Sequence, residues 1–460
     1  MLDKQDPTED YIPPFAPPLT GDEGIVKATW TFMKNPLEGF GPLCYRQPIV
    51  SVKALRTKIH TVTDPVGMNE VLKTKVADFR KSPLSDRIMK PATKEGLLVV
   101  HGEQWRRQRR GVSPMFAPRH MARLAPMVTE ALDEFADNIN AVIEAGGGRI
   151  ELREAMADLT FDILAKSVLG NPKGMEKGKL KQAMAVALDV AGTIRPSDLL
   201  TLPNWMPRPI GPRGLRALKT IRDAADALLA QRDPDNPGDD LVGLLVSTHD
   251  PKTGQGLSVR EQRDNLIGFF IAGHETTALT LTWALYLIGN HKQTEARIVE
   301  EVRAVAGDGP VQYEHIEKLT FTRAVIDETM RLYPPAPMMG REAVNDTQIC
   351  GRDIAKGDIV LLATYVMHRT PRLWDKPNVF DPDRFLRDPE LNRGKGKFMP
   401  FGAGPRVCVG AAFAVMEAVM ALATLVRDYE IKPNPNCHPK LKMKITLRPD
   451  CDIVASVKRR

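Results

Sequence analysis

A cysteine near the C-terminal end has surroundings that could make it a metal ligand. Residues 401–410 read FGAGPRVCVG, and the glycine-proline turn delivers Cys408 to the start of an apolar run over residues 411–426. Unpaired N–H groups and the helix dipole at such a start lower the pKa of a thiol, which predicts a thiolate. Arg406 could pair with a carboxylate beside it, and Phe401 could cover the sulfur. A lone cysteine before a buried helix is otherwise an ordinary core residue.

An acid and a hydroxyl occur together in the middle of a long apolar helix. Ser258 and Glu261 form a capping-box pattern, and the helix is predicted to extend to Gly289. Residues 272–277 read AGHETT, so Glu275 and Thr276 lie side by side where an unpaired carboxylate would be costly. Two interpretations stay open from the residues alone: a pair satisfied by backbone and water, or a proton relay.

Two further pairs have helical spacing. Trp105 and Arg109 are four residues apart and share a helix face, where an indole N–H and a guanidinium could hold a carboxylate. Glu328 and Arg331 are three apart and precede a Tyr-Pro-Pro sequence that ends their helix. Either pair alone also fits a surface arginine of no special role.

These motifs, in this order, resemble those of the cytochrome P-450 superfamily. All fixed positions of the haem-loop pattern FxxGxRxCxG are filled, and the AGx(D/E)T, WxxxR and ExxR patterns are present. Residues 382–385 resemble the PERF-type segment, with aspartate for glutamate. The resemblance implies a mainly α fold with a small β region: a single triangular domain over residues 1–460. Arg406 makes the chain similar to soluble, bacterial-type members with eukaryote-like motifs.

The resemblance also implies a cofactor and roles for residues. The cofactor is haem b (iron protoporphyrin IX), with Cys408 as the iron ligand and Thr276 and Glu275 guiding protons. Residues implied to bind or enclose the haem are Trp105, Arg109, Arg341, Phe401, Arg406, Cys408 and Gly410. A structural network would join Glu328, Arg331 and Arg384. The residues expected to line an apolar substrate site are Ile88, Met89, Phe269, Ala272, Ala336, Met338 and Met339.

The implied reaction is hydroxylation of an apolar compound, such as a fatty acid, alkane, terpenoid or steroid. O2 and two electrons would be needed, the electrons coming from a separate ferredoxin with its reductase or from a flavodoxin. One alternative is a peroxide-driven hydroxylase or an isomerase of the same fold, which usually lacks the acid–threonine pair. Another is a non-catalytic haem carrier or gas sensor.

Charge and composition bear on which macromolecules the protein could bind. A net charge of +7 over 460 residues invites a nucleic-acid interpretation, but no zinc-finger spacing or RNA-binding aromatic signature occurs. We expect the excess charge to form a basic docking face for an acidic electron donor. Its candidate members are Arg106, Arg107, Arg110, Arg393, Lys395 and Lys397.

Five cysteines without a CxxC pair favour a reducing, cytoplasmic setting. No membrane anchor, signal peptide or fused reductase is expected.

The remaining elements are predicted from pattern. Residues 1–45 are proline-rich, and residues of about 46–65 and 345–365 should supply the small β region, including strands at 49–53 and 58–62. Residues 81–100 lack a period and are predicted to be a loop. The proline-rich stretch 194–212 resembles the lid over the substrate channel in the suspected fold.

Overall fold

The computed structural model describes residues 10–20, 25–54, 57–168, 176–193, 195, 198, 208–233, 235–238, 240–393 and 396–460. Most of the predicted lid over 194–212 therefore lies outside the described residues. No helix in these ranges is long and apolar enough to span a membrane. The prediction of one domain over residues 1–460 stays a prediction.

Helices dominate the described chain, as predicted. Capping matches the sequence signals, since Ser258 and Glu261 form the predicted capping box and Asp64 accepts from the N–H of Val66. The helices are α1 Ile25–Lys34, α2 Pro42–Arg46, α3 Pro65–Asn69, α4 Pro83–Met89, α5 Gly102–Val112, α6 Pro118–Glu144, α7 Leu152–Ser167, α8 Lys177–Gly192, α9 Gly211–Ala230, α10 Leu241–Ser247, α11 Val259–Gly289, α12 Lys292–Ala306, α13 Thr320–Leu332, α14 Thr364–Met367, α15 Asp383–Arg387 and α16 Ala411–Asp428.

The strands form small sheets. They are β1 Ile49–Ala54, β2 Thr57–Val62, β3 Phe79–Lys81, β4 Arg149–Glu151, β5 Met339–Ala343, β6 Thr347–Ile349, β7 Arg352–Ile354, β8 Ile359–Leu362, β9 Tyr429–Pro433, β10 Leu441–Met443, β11 Leu447–Pro449 and β12 Val454–Arg459. The largest sheet has the order β1-β2-β8-β5-β3, with β2 and β8 parallel and the other neighbours antiparallel. The predicted β region is therefore present, and β3 and β5, which lie outside the predicted ranges, add two strands to it.

The long helix α11 is the central element of the core. It packs against α7, α13 and α16, and from residue 277 to residue 288 every one of its residues is buried. Helix α16 is also buried on nearly all sides, as its apolar sequence predicts. These two helices fix the positions of the AGHETT segment and of the loop that carries Cys408.

The prediction of a loop over residues 81–100 is wrong in part. Residues 83–89 form helix α4, with Pro83 at its first position and the hydroxyl of Ser82 accepting from the N–H of Ser85 at 3.3 Å. The helix was missed because seven residues are too few to show a helical period. This short helix carries both Ile88 and Met89.

Candidate active site

A cavity of about 490 Å³ lies between α11 and the loop that precedes α16. Its volume is in the range of sites for small organic ligands. Its wall includes Cys408, Phe401 and Gly410 from the loop, Trp105 and Arg109 from α5, and Thr276 from α11. Residues far apart in the sequence and predicted to share a site therefore lie around one cavity.

Two glycines give the cysteine loop its shape. Gly402 and Gly404 have φ of +73° and +71°, which side-chain-bearing residues rarely adopt. A Cβ atom at Gly404 would also lie 1.8 Å from the carbonyl oxygen of Leu72. The loop closes with a hydrogen bond from the N–H of Cys408 to the carbonyl of Phe401 at 3.0 Å. The sulfur is thus held by backbone geometry that the glycines permit.

The Cys408 side chain is accessible, and it faces the cavity although protein surrounds it. Burial raises the pKa of the Cys408 thiol, and the N–H of Gly410 and the charge of Arg109 only partly offset this effect. The predicted contribution of a backbone N–H is therefore present, but the predicted net lowering of this pKa is wrong, because burial outweighs it. Cys408 lies two residues before the N-cap residue Gly410 and so outside α16, where the helix dipole acts more weakly than within the first turn. Binding of a cation is what would favour the thiolate here.

Four cationic side chains line the same cavity: Lys81, Arg109, Arg341 and Arg406. Within the described part of the chain, no carboxylate lies in ion-pair distance of any of them. Three of them donate to carbonyls instead: Lys81 to Leu98, Arg406 to Val100 at 3.1 Å and Arg341 to Gly340 at 2.9 Å. The Arg406 guanidinium also lies over the Trp105 ring, 4.3 Å from its centroid.

The shortage of counter-charge is visible in the pKa values of Lys81, Arg341 and Arg406, which are all lowered although the charge of Asp86 opposes the shift. Burial, then the charges of Arg406 and Arg341, lowers the pKa of Lys81 to about 7. Burial likewise lowers the pKa of Arg406 to about 10, with a further contribution from Arg341. Cations that are partly withdrawn from water without an ion-pair partner are costly, so this group indicates a site for an anionic ligand.

Helix α11 presents Thr276 to the cavity but not its acidic neighbour. The Thr276 hydroxyl donates to the carbonyl of Ala272 at 2.7 Å. The Glu275 side chain does not line the cavity and forms an ion pair with Arg448 on β11. Burial raises the pKa of Glu275, and Arg448 partly opposes that rise. His274 packs on the opposite side, where its ring contacts Phe161 of α7.

Six of the seven residues predicted to line the substrate site do line this cavity: Met89, Phe269, Ala272, Ala336, Met338 and Met339. Ile88 does not. It lines a separate, smaller cavity near α8 and α9, and Met89 contributes to the walls of both. Consecutive residues of a helix point in directions about 100° apart, so the two side chains of α4 face different spaces.

The predicted network of Glu328, Arg331 and Arg384 is present and buried. Arg331 donates to both carboxylate oxygens of Glu328, at 2.6 and 2.8 Å, and Arg384 donates to Glu328 at 3.2 Å. Arg331 also donates to the carbonyl of His368 at 2.8 Å, and the ring of His368 accepts from the N–H of Met399 at 3.0 Å. A chain of hydrogen bonds thus leads from α13 to the start of the cysteine loop.

Sequence reasoning missed two ionisable residues of the cavity. Lys81 lies opposite Arg341 in the β3–β5 register, a pairing for which the sequence carries no local signal. Glu417 is fully buried on α16, where burial raises the pKa of its carboxyl to about 8 and Thr277 is its hydrogen-bond partner. A single charge in the otherwise apolar run over residues 411–426 was the available signal for Glu417.

Comparisons with known proteins agree with this geometry. The cytochrome P450 family model matches residues 44–453. Protein LUTEIN DEFICIENT 5, chloroplastic, of Arabidopsis thaliana is 29% identical over 397 residues, covering 82% of this chain and 66% of that protein, so the chain spans about two thirds of its length. Cyclooctat-9-en-7-ol 5-monooxygenase of Streptomyces melanosporofaciens is 27% identical over 438 residues, 93% of each chain.

The chain also matches the crystal structure of the cytochrome P450DA heme domain, with a TM-score of 0.82 and 24% identity over 97% of this chain and 98% of that one. The predicted mainly α P450 fold is thereby confirmed. Because the family model covers most of the chain, the protein belongs to the cytochrome P450 family and is a haem-dependent monooxygenase, an oxidoreductase.

Proposed function

We propose that this protein hydroxylates an apolar organic substrate, a fatty acid, alkane, terpenoid or steroid, using O2 and two electrons from a separate ferredoxin or flavodoxin-type donor. The observation that supports it most is the cavity itself. An accessible sulfur on one wall faces hydrocarbon side chains such as Phe269 and Met338 on the others. A site of this kind holds a substrate by apolar burial and leaves specificity to few polar groups.

The residues present fit haem b. A cysteine sulfur, mostly apolar walls and cations without ion-pair partners match an iron, an apolar macrocycle and two propionates. In this proposal Cys408 ligates the iron, while Trp105, Arg109, Arg341 and Arg406, with Lys81, hold the propionates. A thiolate-bound haem supplies O2 activation.

Thr276 is proposed to hold a proton at the cavity. Its hydroxyl oxygen keeps lone pairs free while its hydrogen bonds the Ala272 carbonyl, so it can accept from and pass a proton to a ligand there. Glu275 lies behind it, with its carboxylate toward Arg448 and its pKa raised by burial. We assign Glu275 the outer position in proton delivery, which requires its side chain to leave Arg448.

Partner and location are proposals of the same kind. Three members of the predicted docking face are paired within the protein: Arg106 and Arg110 with Glu103, and Arg107 with Glu261. Lys395 lies outside the described residues. We propose that the electron donor is an acidic protein, because the Arg106 side chain is more than half exposed and can still interact with such a partner. The five free cysteines support a cytoplasmic protein.

The experiment starts with reduction and carbon monoxide. We expect the red-shifted Soret band of a thiolate-bound haem, retained in Cys451→Ser and lost in Cys408→His. With a surrogate ferredoxin system, apolar compounds should then give substrate-dependent consumption of reduced nicotinamide. Intact haem without turnover of any apolar compound would favour the carrier alternative.

Thr276→Ala should divert electrons to peroxide and lower coupling about tenfold or more, while Thr276→Ser keeps most of it. Fully coupled turnover in the alanine variant would refute the assignment.

A further inference from the structure

A second cavity, of about 40 Å³, lies beside the first one and shares Met89 with it. Its walls come from α4, α8, α9 and α11 and are mostly aliphatic, including Leu188, Leu218 and Ile271. The space suits a small end group rather than a whole polycyclic molecule. Because the cavities are neighbours, one elongated ligand could occupy both.

Two arginines line this small cavity, and they differ in their partners. Arg208 forms an ion pair with Asp198 at 2.8 Å and donates to the carbonyl of Ala191 at 2.8 Å. Arg87 is 8% exposed, and its Nε–H is buried with no hydrogen-bond partner. No carboxylate of the described residues lies in ion-pair distance of Arg87.

No nearby acid of the described residues pairs with Arg87. Asp86, its neighbour in sequence, bonds to His101 through Oδ2 at 2.8 Å, and its Oδ1 is buried without a hydrogen-bond partner and is not in ion-pair distance of Arg87. Asp198 is held by Arg208. Residues 199–207, which lie outside the described ranges, contain no Asp or Glu in their sequence. A guanidinium buried among aliphatic side chains without an anion is strongly unfavourable, so a ligand that supplies the anion would relieve the cost.

We propose that Arg87 binds the carboxylate of an apolar acid whose hydrocarbon part extends past Met89 into the larger cavity that holds Cys408. The inference rests on the proposed function and narrows its substrate class to compounds with an apolar body and an anionic end. Oxidation would then occur away from the carboxylate, because Arg87 does not line the cavity of Cys408.

The test uses the full-length haem protein and matched pairs of ligands that differ only in charge. Straight-chain carboxylic acids are compared with their methyl esters, and abietic acid with methyl abietate as a rigid pair. Affinity is measured both by the low-to-high-spin shift and by calorimetry. We expect the acid of at least one pair to bind about ten- to hundredfold more tightly than its ester, as for a charge-assisted hydrogen bond.

Arg87→Gln should remove that preference and leave ester binding within about twofold, while Arg87→Lys keeps part of it. Lys90→Gln, which removes an exposed charge directly after α4, is the matched control and should change the affinity for neither the acid nor the ester. Equal binding of acid and ester in every pair, or a parallel loss of both in Arg87→Gln, would overturn the inference. Arg87-dependent binding of an acid seen by calorimetry, without turnover of any acid or ester by the surrogate ferredoxin system, would instead refute the proposed function and leave the anion site standing.

Discussion

Two sets of arginines, one buried and one half-buried, lie near the cysteine loop and differ in what balances their charge. Arg331 and Arg384 share the carboxylate of Glu328, and all remaining donors of Arg331 bond to backbone carbonyls. Around the large cavity, Arg341 and Arg406 donate to carbonyls, and no carboxylate of the described residues lies in ion-pair distance of either. This difference distinguishes a structural role from a ligand-binding role. An arginine whose charge is balanced by a carboxylate of the protein stabilises the fold, and an arginine without such a carboxylate is suited to bind an anionic ligand.

The largest effect is expected in the compensated set. Glu328→Gln leaves Arg331, which is fully buried, without a counter-charge, so the free energy of unfolding should fall by about 3–5 kcal/mol. Urea denaturation of the haem-loaded protein measures this. Glu317→Gln, at an exposed position, is the control and should change stability by about 0.5 kcal/mol or less. A loss no larger than that of the control would break the comparison.

Substitution of an arginine at the large cavity should lower haem affinity and leave the stability of the haem-free protein unchanged. Arg341→Gln removes a cation that lies near Arg406 and Lys81, so the haem-free protein should unfold no more easily than the wild type. Haem affinity should fall about ten- to hundredfold, because a propionate loses a charged donor. Transfer of haem to an excess of apomyoglobin measures that affinity. Loss of stability with unchanged haem retention would mean that Arg341 is structural.

The smallest effect concerns pH. The pKa of Lys81 in the folded protein is lowered to about 7 from its usual 10.5, so the unfolded chain binds an extra proton between these values. The free energy of unfolding of the haem-free protein should therefore rise with pH in this window, by about 1 kcal/mol from pH 7 to 8. Lys81→Met should flatten this part of the profile. An equal slope in both proteins would show that Lys81 keeps its usual pKa when folded.

Local patterns predicted much of the candidate site. The WxxxR and ExxR pairs share helix faces because three or four residues make one turn, and each pair occurs as expected on α5 and α13. The loop before α16 needed only its glycines, whose positive φ values follow from residue type. Short elements were harder, since α4 is too brief to show a period.

The amino-acid sequence by itself determined the family, the loop that carries Cys408, the central helix and the ExxR pair, because each depends on residues close together in the chain. Only the tertiary structure decided which charges are balanced. Sheet register brings Lys81 opposite Arg341, an ion pair turns Glu275 away from the cavity, and the direction of α4 buries Arg87 in a second one. Counter-charges come from distant segments, and electrostatic compensation depends on distances that spacing along the chain does not contain.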